Sequence, residues 1–214
     1  MATLVVNEIF FSIQGESTHT GRPCVFVRLT FCNLRCSWCD TEYAFSEGKT
    51  MSVDDILAEI ERYPCRLVEI TGGEPLAQEG VFPLMTALCD RGYEILVETG
   101  GSLDIGRVDP RVKRIVDFKC PGSGMEKKNL WANVEALRPT DEVKFVIRDR
   151  ADFDWASGAI LRHALTKRCA VLMSCVFGEL ELSHLARWIL EAGIDVRLQL
   201  QMHKYIWEPS ARGV

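Results

Sequence analysis

Short apolar segments alternate with segments of helical periodicity from residue 52 to the end of the chain. The strand-like segments follow one another as RLVEIT, YEILVET, VKRIVDFK, DEVKFVIRD, AVLMS and DVRLQLQ. The helical segments between them include SVDDILAEIERY, in which Ser52 is a candidate N-cap residue and Asp55 follows three positions later. EKKNLWANVEALR also predicts a helix. Strands that alternate with helices predict a mainly parallel sheet covered by helices.

About six strands of this kind predict an α/β fold, with either an open sheet or an incomplete (β/α) barrel. A closed barrel of eight βα units usually needs about 250 residues, and this chain has 214. Two earlier segments, LVVNEIFFSIQ and CVFVRLTF, predict strands joined by the loop GESTHTGRP. We find no linker-like segment and no internal repeat, so residues 1–214 predict a single domain.

Chemically informative residues follow several of these strands. They are Cys32–Cys39 after the second strand, Thr71–Pro75 after LVEI, Glu98–Gly101 after YEILV, Lys119 after RIVDF and Ser174 after AVLM. Binding sites of barrels and open α/β sheets lie at the carboxyl ends of the strands. We therefore expect one functional site that gathers these segments.

Composition and charge restrict the setting in which the protein works. The formal net charge is −5, so no general basic field would gather nucleic acid. The N-terminus does not begin a signal peptide, and no apolar stretch approaches about 18 residues, which predicts no membrane span. Nine cysteines form an odd set in a chain too long for a disulfide-dense mini-domain. A cytoplasmic protein is expected, with cysteines as metal ligands or small core residues.

Three cysteines, Cys32, Cys36 and Cys39, lie on one short segment with the spacing C-x3-C-x2-C. Structural zinc sites need four ligands, commonly as two pairs, and the four histidines of the chain are scattered. Three thiolates instead fit three irons of a [4Fe–4S] cluster. The fourth iron then has no protein ligand and can bind a substrate or cofactor. Trp38 and Asp40, on either side of the third cysteine, disfavour a chance cluster of core residues.

This motif resembles that of the radical S-adenosylmethionine (SAM) superfamily, and VEITGGEP at 68–75 resembles its GGE segment. Further segments resemble the 7-carboxy-7-deazaguanine synthase family of queuosine and 7-deazapurine biosynthesis. They are NEIFFSIQGES at 7–17, GRPCVFVRLTFCNLRCSWCDT at 21–41, DFKCPGSG at 117–124 and QMHKYIW at 201–207.

The resemblance implies the chemistry. Such enzymes convert 6-carboxy-5,6,7,8-tetrahydropterin to 7-carboxy-7-deazaguanine with ring contraction and loss of ammonia. SAM binds the open iron, and an electron from the reduced cluster cleaves it to a radical that takes hydrogen from the pterin. The hydrogen is later returned and SAM is regenerated. The protein positions and protects these groups, since the radical chemistry belongs to the cofactor.

The resemblance also implies the site residues. The cluster ligands are Cys32, Cys36 and Cys39. The SAM-binding residues are Trp38, Cys39, Asp40, Gly73, Glu74, Asp117, Phe118 and Lys119, together with Ser174, Cys175, Val176 and Phe177. The substrate-binding residues are Ile13, Gln14, Gly15, Glu16, Arg28, Thr71 and His203, with Lys204 as a further candidate. Thr41 matches a position at which some members bind Mg2+ beside the substrate carboxylate.

Residue chemistry agrees with several of these roles. The glycines of the 71–75 loop let a ligand approach the backbone closely. Glu74 can accept charge-assisted hydrogen bonds from the ammonium group of SAM. Arg28 offers the planar pair of donors that suits the substrate carboxylate. Mg2+ usually keeps several waters, so one hydroxyl such as that of Thr41 can be enough when the substrate adds oxygens.

Two departures from the family pattern and two alternatives remain at this point. The usual QGEG reads QGES, with Ser17 for glycine, and the usual ETNG reads ETGG, with Gly100 for asparagine.

The resemblance further implies a homodimer and a flavodoxin-like or other low-potential reductant. A glycyl-radical-enzyme activase is one alternative, and a non-enzymatic iron–sulfur module is the other.

Overall fold

A computed structural model describes residues 2–214 and contains one mixed sheet of nine strands in the order β3-β1-β2-β4-β5-β6-β7-β8-β9. The strands are β1 (Thr3–Ile13), β2 (Pro23–Leu29), β3 (Lys49–Ser52), β4 (Leu67–Gly72), β5 (Glu94–Thr99), β6 (Lys113–Asp117), β7 (Glu142–Ile147), β8 (Ala170–Cys175) and β9 (Arg197–Gln199). All pairs from β2 through β9 are parallel, while β1 pairs antiparallel with both β2 and β3. The incomplete (β/α) barrel is confirmed.

The six predicted strands of the βα series are β4 to β9, but the parallel sheet also includes β2. The sequence did not predict β3, because its segment KTMS contains only four residues and no apolar run. The sheet does not close, since β3 and β9 are its two edges.

The helices lie in the connections between the strands, except for the last, which follows β9. They are α1 (Val53–Ile60), α2 (Val81–Asp90), α3 (Asn133–Ala136), α4 (Arg150–Arg162), α5 (Leu182–Ala192) and α6 (His203–Ile206). Ser52 and Asp55 form the expected capping box at the start of α1. The structure described for residues 2–214 includes no helix with the length and apolarity needed to cross a membrane.

The helix predicted for residues 126–138 is wrong for much of its length. The structure has a single 3-10 turn at Glu126–Lys128 and the short helix α3. Between them, the Asn129 side chain accepts a hydrogen bond from the backbone N–H of Lys119 and donates one to its carbonyl, both at 2.9 Å. These two bonds hold Asn129 in an extended conformation, with ψ at 122°, which ends the turn.

The sheet has an apolar layer on each side. Alternate residues such as Val68, Ile70 and Val97 face the helices in the main core. Inside the barrel lies a smaller cluster, which consists of Phe10, Cys24, Phe26, Leu67, Leu96 and Ile115. Because side chains two residues apart in a strand share a face, the next inward residues are Glu69, Glu98 and Asp117. A charged layer therefore lies directly above the inner apolar cluster.

Candidate active site

A cavity of about 700 Å³ opens at the carboxyl ends of the parallel strands. Most of the predicted site residues line it. They are Ile13, Gln14, Gly15, Glu16, Arg28, Cys32, Cys36, Trp38, Cys39, Asp40, Thr41, Thr71, Gly73, Glu74, Asp117, Lys119, Val176, Phe177, His203 and Lys204. The segments that the sequence placed at strand ends thus meet in one site.

Three predicted residues do not line this cavity. Phe118 follows the inward-facing Asp117, so the alternation of the strand turns its ring into the main core, where it stacks on Trp131 with 4.7 Å between ring centroids. Cys175 belongs to the same core. Ser174 is fully buried, and its hydroxyl has no hydrogen-bond partner among the described residues. The contribution of these three residues to SAM binding stays a prediction.

The cysteine loop is fixed by hydrogen bonds to the loop that follows β6. Ser37 donates from its backbone to the carbonyl of Ser123 at 3.1 Å and from its hydroxyl to the carbonyl of Gly122 at 2.8 Å. The three cysteines are free thiols and partly exposed to the cavity. Within residues 2–214, no three His, Cys, Asp or Glu side chains are arranged to hold a single metal ion. Three free thiols at one cavity are the donor set that an iron–sulfur cluster with one open iron requires.

The two glycines of the 71–75 loop have a packing role that the sequence did not reveal. A Cβ atom on Gly72 would lie 2.1 Å from the carbonyl oxygen of Leu29, and one on Gly73 would lie 2.1 Å from that of Phe31. Gly73 donates its backbone N–H to Leu29 at 3.0 Å, and Glu74 donates to Phe31 at 2.8 Å. The glycines therefore let this loop pack on the backbone that enters the cysteine loop. A direct approach of a ligand to Gly73 stays a prediction.

Glu74 lies under the cysteine loop and is completely buried. Its carboxylate accepts hydrogen bonds from the backbone of Leu76 (3.0 Å), the hydroxyl of Thr99 (2.8 Å) and the backbone of Gly100 (2.7 Å). Burial raises the pKa of Glu74, although these three donors oppose the shift. One acceptor position of the Glu74 carboxylate remains, and an ammonium group could donate a hydrogen bond to it.

The Gly100 departure has a visible consequence beside Glu74. A Cβ atom at this position would lie 2.9 Å from a Leu34 methyl group and 3.3 Å from a Glu74 carboxylate oxygen. A side chain at residue 100 would therefore displace Leu34. The other departure, Ser17, adopts a positive φ of 62° and accepts a hydrogen bond from the His19 backbone at 3.0 Å.

Asp117 and Lys119 form an ion pair at 2.8 Å on the cofactor side of the cavity. Burial alone would lower the pKa of Lys119, but the Asp117 carboxylate outweighs it and raises the pKa. The second oxygen of Asp117, Oδ1, is buried and has no hydrogen-bond partner among residues 2–214. With Glu74, these residues offer one cation and two acceptors beside the three cysteines. Such a donor and acceptor set fits SAM, which carries ammonium, carboxylate and hydroxyl groups.

Lys144, which pairs in register with Asp117 of the neighbouring strand, is the centre of a charged network that sequence reasoning missed. Its ammonium lies 2.5 Å from Glu16 and 2.7 Å from Glu98, and its side chain is only 5% exposed. Burial would lower the pKa of Lys144, but the two carboxylates raise it well above its usual value. Burial likewise would raise the pKa of Glu16, and Lys144 outweighs this and lowers it. Lys144 and Glu16 therefore stay charged at neutral pH.

Glu69, which lies next to this network, was also missed. Gln14 donates a hydrogen bond from its side-chain amide to the Glu69 carboxyl group and accepts one from the backbone of Glu16 at 2.9 Å. Burial raises the pKa of Glu69 well above its usual value, and the charges of Glu98 and Glu16 raise it further. Of the carboxyl groups in this network, Glu69 is therefore the one that most readily holds a proton.

A signal for these residues existed in the sequence. Lys144, Glu69 and Glu98 are charged residues inside the otherwise apolar strands EVKFVI, LVEITG and EILVET. Lys, Glu and Asp are almost never fully buried unless they are paired. Each such residue in a buried strand therefore indicated a partner inside the barrel.

The segment around α6 closes the substrate side. Gly15 accepts a backbone hydrogen bond from Met202 at 2.9 Å, and a Cβ atom on Gly15 would lie 2.3 Å from the His203 ring. Gln201 donates to Glu16 at 3.2 Å. Burial lowers the pKa of His203, which outweighs the opposite effect of Glu16, so the imidazole is neutral at pH 7. His203 thus lies directly against residues 13–16. Both were predicted to bind substrate.

Thr41, at the predicted magnesium position, contacts the carboxylate of Asp40. Its hydroxyl donates to Asp40 at 2.9 Å, and the other oxygen of Asp40 pairs with Lys204 at 2.6 Å. Partial burial raises the pKa of Asp40, but Lys204 outweighs it and lowers the pKa to about 2. The residues present therefore offer a hydroxyl and a carboxylate for Mg2+, with an ammonium already bound to that carboxylate.

Comparison with other proteins places these features in a family. The profile of the Radical SAM superfamily matches residues 26–156. A 7-carboxy-7-deazaguanine synthase from Chlorobaculum tepidum is 48% identical over 216 residues, which cover 100% of this chain and 98% of the relative. The synthase from Koribacter versatilis is 48% identical over 224 residues, which cover 98% and 99%.

A solved structure agrees with these matches. The crystal structure of QueE from Escherichia coli superposes with a TM-score of 0.79 at 25% identity, and the match covers 94% of this chain and 95% of that one. Full-length identity, the shared fold and the three cysteines at the cavity point to one conclusion. The chain belongs to the 7-carboxy-7-deazaguanine synthase family of the radical SAM superfamily.

Proposed function

We propose that the chain is a 7-carboxy-7-deazaguanine synthase that converts 6-carboxy-5,6,7,8-tetrahydropterin to 7-carboxy-7-deazaguanine, with ring contraction and loss of ammonia, in the biosynthesis of queuosine and other 7-deazapurines. The observation that carries the proposal is the full-length 48% identity to a curated synthase of that name. A cavity lined by three cysteines and by a charged network supports it.

Cys32, Cys36 and Cys39 would hold the [4Fe–4S] cluster, and SAM would lie between it and the ion pair of Asp117 and Lys119. Bound together, the cluster and SAM supply the radical that takes hydrogen from the substrate. Glu74 would accept from the ammonium group of SAM, and Lys119 would hold an anionic group. Trp38, Asp40, Gly73, Val176 and Phe177 would complete the SAM-binding surface. The protein keeps water and competing groups away from this space.

On the other side, the backbone of Ile13–Gly15 and the Glu16 carboxylate would bind the donor and acceptor edge of the pterin. Glu98 and Lys144 would hold Glu16 in place. Arg28 would bind the substrate carboxylate through its terminal nitrogens. Thr71 and neutral His203 would complete the contacts.

We further propose that Thr41 and Asp40 bind Mg2+ together with the substrate carboxylate and water. A low-potential reductant of the flavodoxin type would supply the electron, and the enzyme would act as a cytoplasmic homodimer whose chain of 214 residues forms one domain. Addition and removal of Mg2+ in the turnover assay tests the first of these proposals. A rate that is independent of Mg2+ would contradict it.

Anaerobic turnover tests the proposed function. The protein is reconstituted with iron and sulfide and incubated with dithionite, SAM and the carboxytetrahydropterin. We expect 7-carboxy-7-deazaguanine by mass spectrometry. Its absence from a reaction with an intact cluster would contradict the proposal.

The same reaction separates the alternatives. An iron–sulfur module without enzyme activity would not cleave SAM. A glycyl-radical-enzyme activase would cleave SAM but would need a protein partner rather than a pterin. Residues Trp207–Ala211, Gly213 and Val214 also line the cavity, which favours a small-molecule substrate over a protein backbone.

A further inference from the structure

A β-bulge in β1 aligns a carboxylate with Arg28. Val6 pairs with Leu29 and Glu8 pairs with Arg28, so Asn7 is an extra residue in β1. Without it, Glu8 would lie opposite Val27. Asn7 donates a hydrogen bond from its side chain to the carbonyl of Glu47 at 2.8 Å, which fixes the irregular segment. Bulges commonly occur next to active sites, where they redirect a side chain.

The Glu8 carboxylate binds Arg28 through its Nε atom. Its Oε1 atom accepts from the Nε atom of Arg28 at 2.7 Å and from the hydroxyl of Tyr43 at 3.0 Å. Glu8 does not line the cavity, whereas Arg28 and Tyr43 do. Among residues 2–214, the two terminal nitrogens of Arg28 have no hydrogen-bond partner. They are therefore available to a ligand in the cavity.

Two aromatic rings also lie beside the Arg28 guanidinium. Its central carbon is 5.7 Å from the centroid of Phe10 and 5.9 Å from that of Tyr43. Tyr43 in turn stacks with Arg212, whose guanidinium carbon is 3.7 Å from the ring centroid. Burial raises the pKa of Tyr43 to about 12, so its phenol remains a donor to Glu8. The long flexible side chain of Arg28 is thus held at Nε and lies beside two aromatic rings.

We propose that Glu8 is a positioning residue that, with Tyr43, presents the terminal nitrogens of Arg28 to the carboxylate of the substrate and so selects carboxylated pterins. This inference rests on the proposed function, because it concerns recognition of that substrate. Loss of Glu8 would leave Arg28 charged but free to rotate, and the entropy of its long side chain would oppose binding. Glu8 would contribute to binding only when the ligand has a carboxylate.

Binding without turnover tests the proposal. Holoenzyme loaded with SAM is titrated anaerobically, without reductant, with 6-carboxy-5,6,7,8-tetrahydropterin and with tetrahydropterin that lacks the carboxylate. For Glu8→Ala we expect about tenfold weaker binding of the carboxylated ligand and unchanged binding of the other. Glu8→Gln keeps the acceptor oxygen and should bind both ligands within about threefold of wild type. Tyr43→Phe keeps the ring, loses the hydroxyl and should weaken only the carboxylated ligand, by about threefold.

Glu79→Gln is the matched control, because Glu79 pairs with Arg107 in an exposed ion pair far from the cavity. Unchanged selectivity in Glu8→Ala, or an equal loss for both ligands, would overturn the proposal. The proposal would also be overturned if Glu8→Gln weakened binding of the carboxylated ligand as much as Glu8→Ala while Tyr43→Phe had no effect on it. The charge of Glu8, rather than the position it gives to Arg28, would then be what matters. If Glu8→Ala does not fold, Tyr43→Phe decides, and selectivity equal to wild type overturns the proposal. Failure of the proposed function is distinct, because wild-type enzyme would then make no product.

Discussion

The two sides of the cavity are built by different means. On the cofactor side, the cysteine loop is held mainly by backbone contacts, with the ion pair of Asp117 and Lys119 beside it: the glycine loop lies against residues 29–31, and Ser37 donates to the carbonyls of residues 122 and 123. On the substrate side, ion pairs and side-chain hydrogen bonds join distant elements, such as Glu16 with Lys144 and with Gln201. The first arrangement depends on small residues at fixed spacing, and the second depends on charges that must balance. The two sides should therefore respond differently to substitution.

The largest effect is expected from the cluster ligands. Cys36→Ala removes one of three thiolates, so the cluster should not assemble and activity should be lost. The thiol is partly exposed, so the fold should remain. Iron analysis and circular dichroism check both statements. Cys89→Ala, a change outside the cavity, is the control. An iron content near wild type in Cys36→Ala would contradict the ligand assignment.

Lys144→Met tests the charge balance of the substrate side. The substitution leaves the partly buried carboxylates of Glu16 and Glu98 without their cation, which should lower the free energy of unfolding by about 3–5 kcal/mol. Because carboxylates without a cation can take up protons, the loss in free energy of unfolding should be smaller at pH 5 than at pH 8. Denaturant titrations at both pH values measure it, with exposed Lys128→Met as the control. A loss below about 1 kcal/mol at pH 8 would show that the network carries little stability.

Gly73→Ala tests the packing of the cofactor side. The new methyl group would lie 2.1 Å from the Phe31 carbonyl oxygen, so the cysteine loop must shift. We expect a loss of about 1–3 kcal/mol and weaker retention of iron. Gly158→Ala is the control, because a Cβ atom there meets no atom within 4 Å. Normal iron retention in Gly73→Ala would refute the proposed support of the loop.

Glu69→Gln should produce the smallest effect, and it depends on pH. The folded protein holds a proton on Glu69 above pH 4.5, where the unfolded chain loses it, so this group makes stability fall as pH rises towards the raised pKa. Glutamine has no such titration. The variant should therefore gain stability relative to wild type as the pH rises from 5 to 8. A difference that does not change with pH would contradict the protonated state of Glu69.

The sequence predicted the cofactor side better than the substrate side for a physical reason. Strands β4 to β9 follow from periodicity, and the cysteines lie on one contiguous segment whose spacing reflects a cluster. Lys144, Glu69 and Glu98 become one network only when three strands meet, although their place in apolar strands was a usable signal. The alternation of side chains along the strand could also have predicted that Phe118 faces away from the cavity. The bulge at Asn7 leaves no pattern in the sequence, because it depends on pairing with β2.

The central claim is that the cofactor side and the substrate side of the cavity respond separately to substitution. Anaerobic turnover by the Arg28→Ala variant tests it most directly. Iron content, 5′-deoxyadenosine and 7-carboxy-7-deazaguanine are measured in the same reaction beside wild type. We predict a full complement of iron and continued reductive cleavage of SAM, seen as 5′-deoxyadenosine, with at least tenfold less 7-carboxy-7-deazaguanine. Loss of iron and of SAM cleavage together with product would contradict the division, because Arg28 would then support the cofactor side as well.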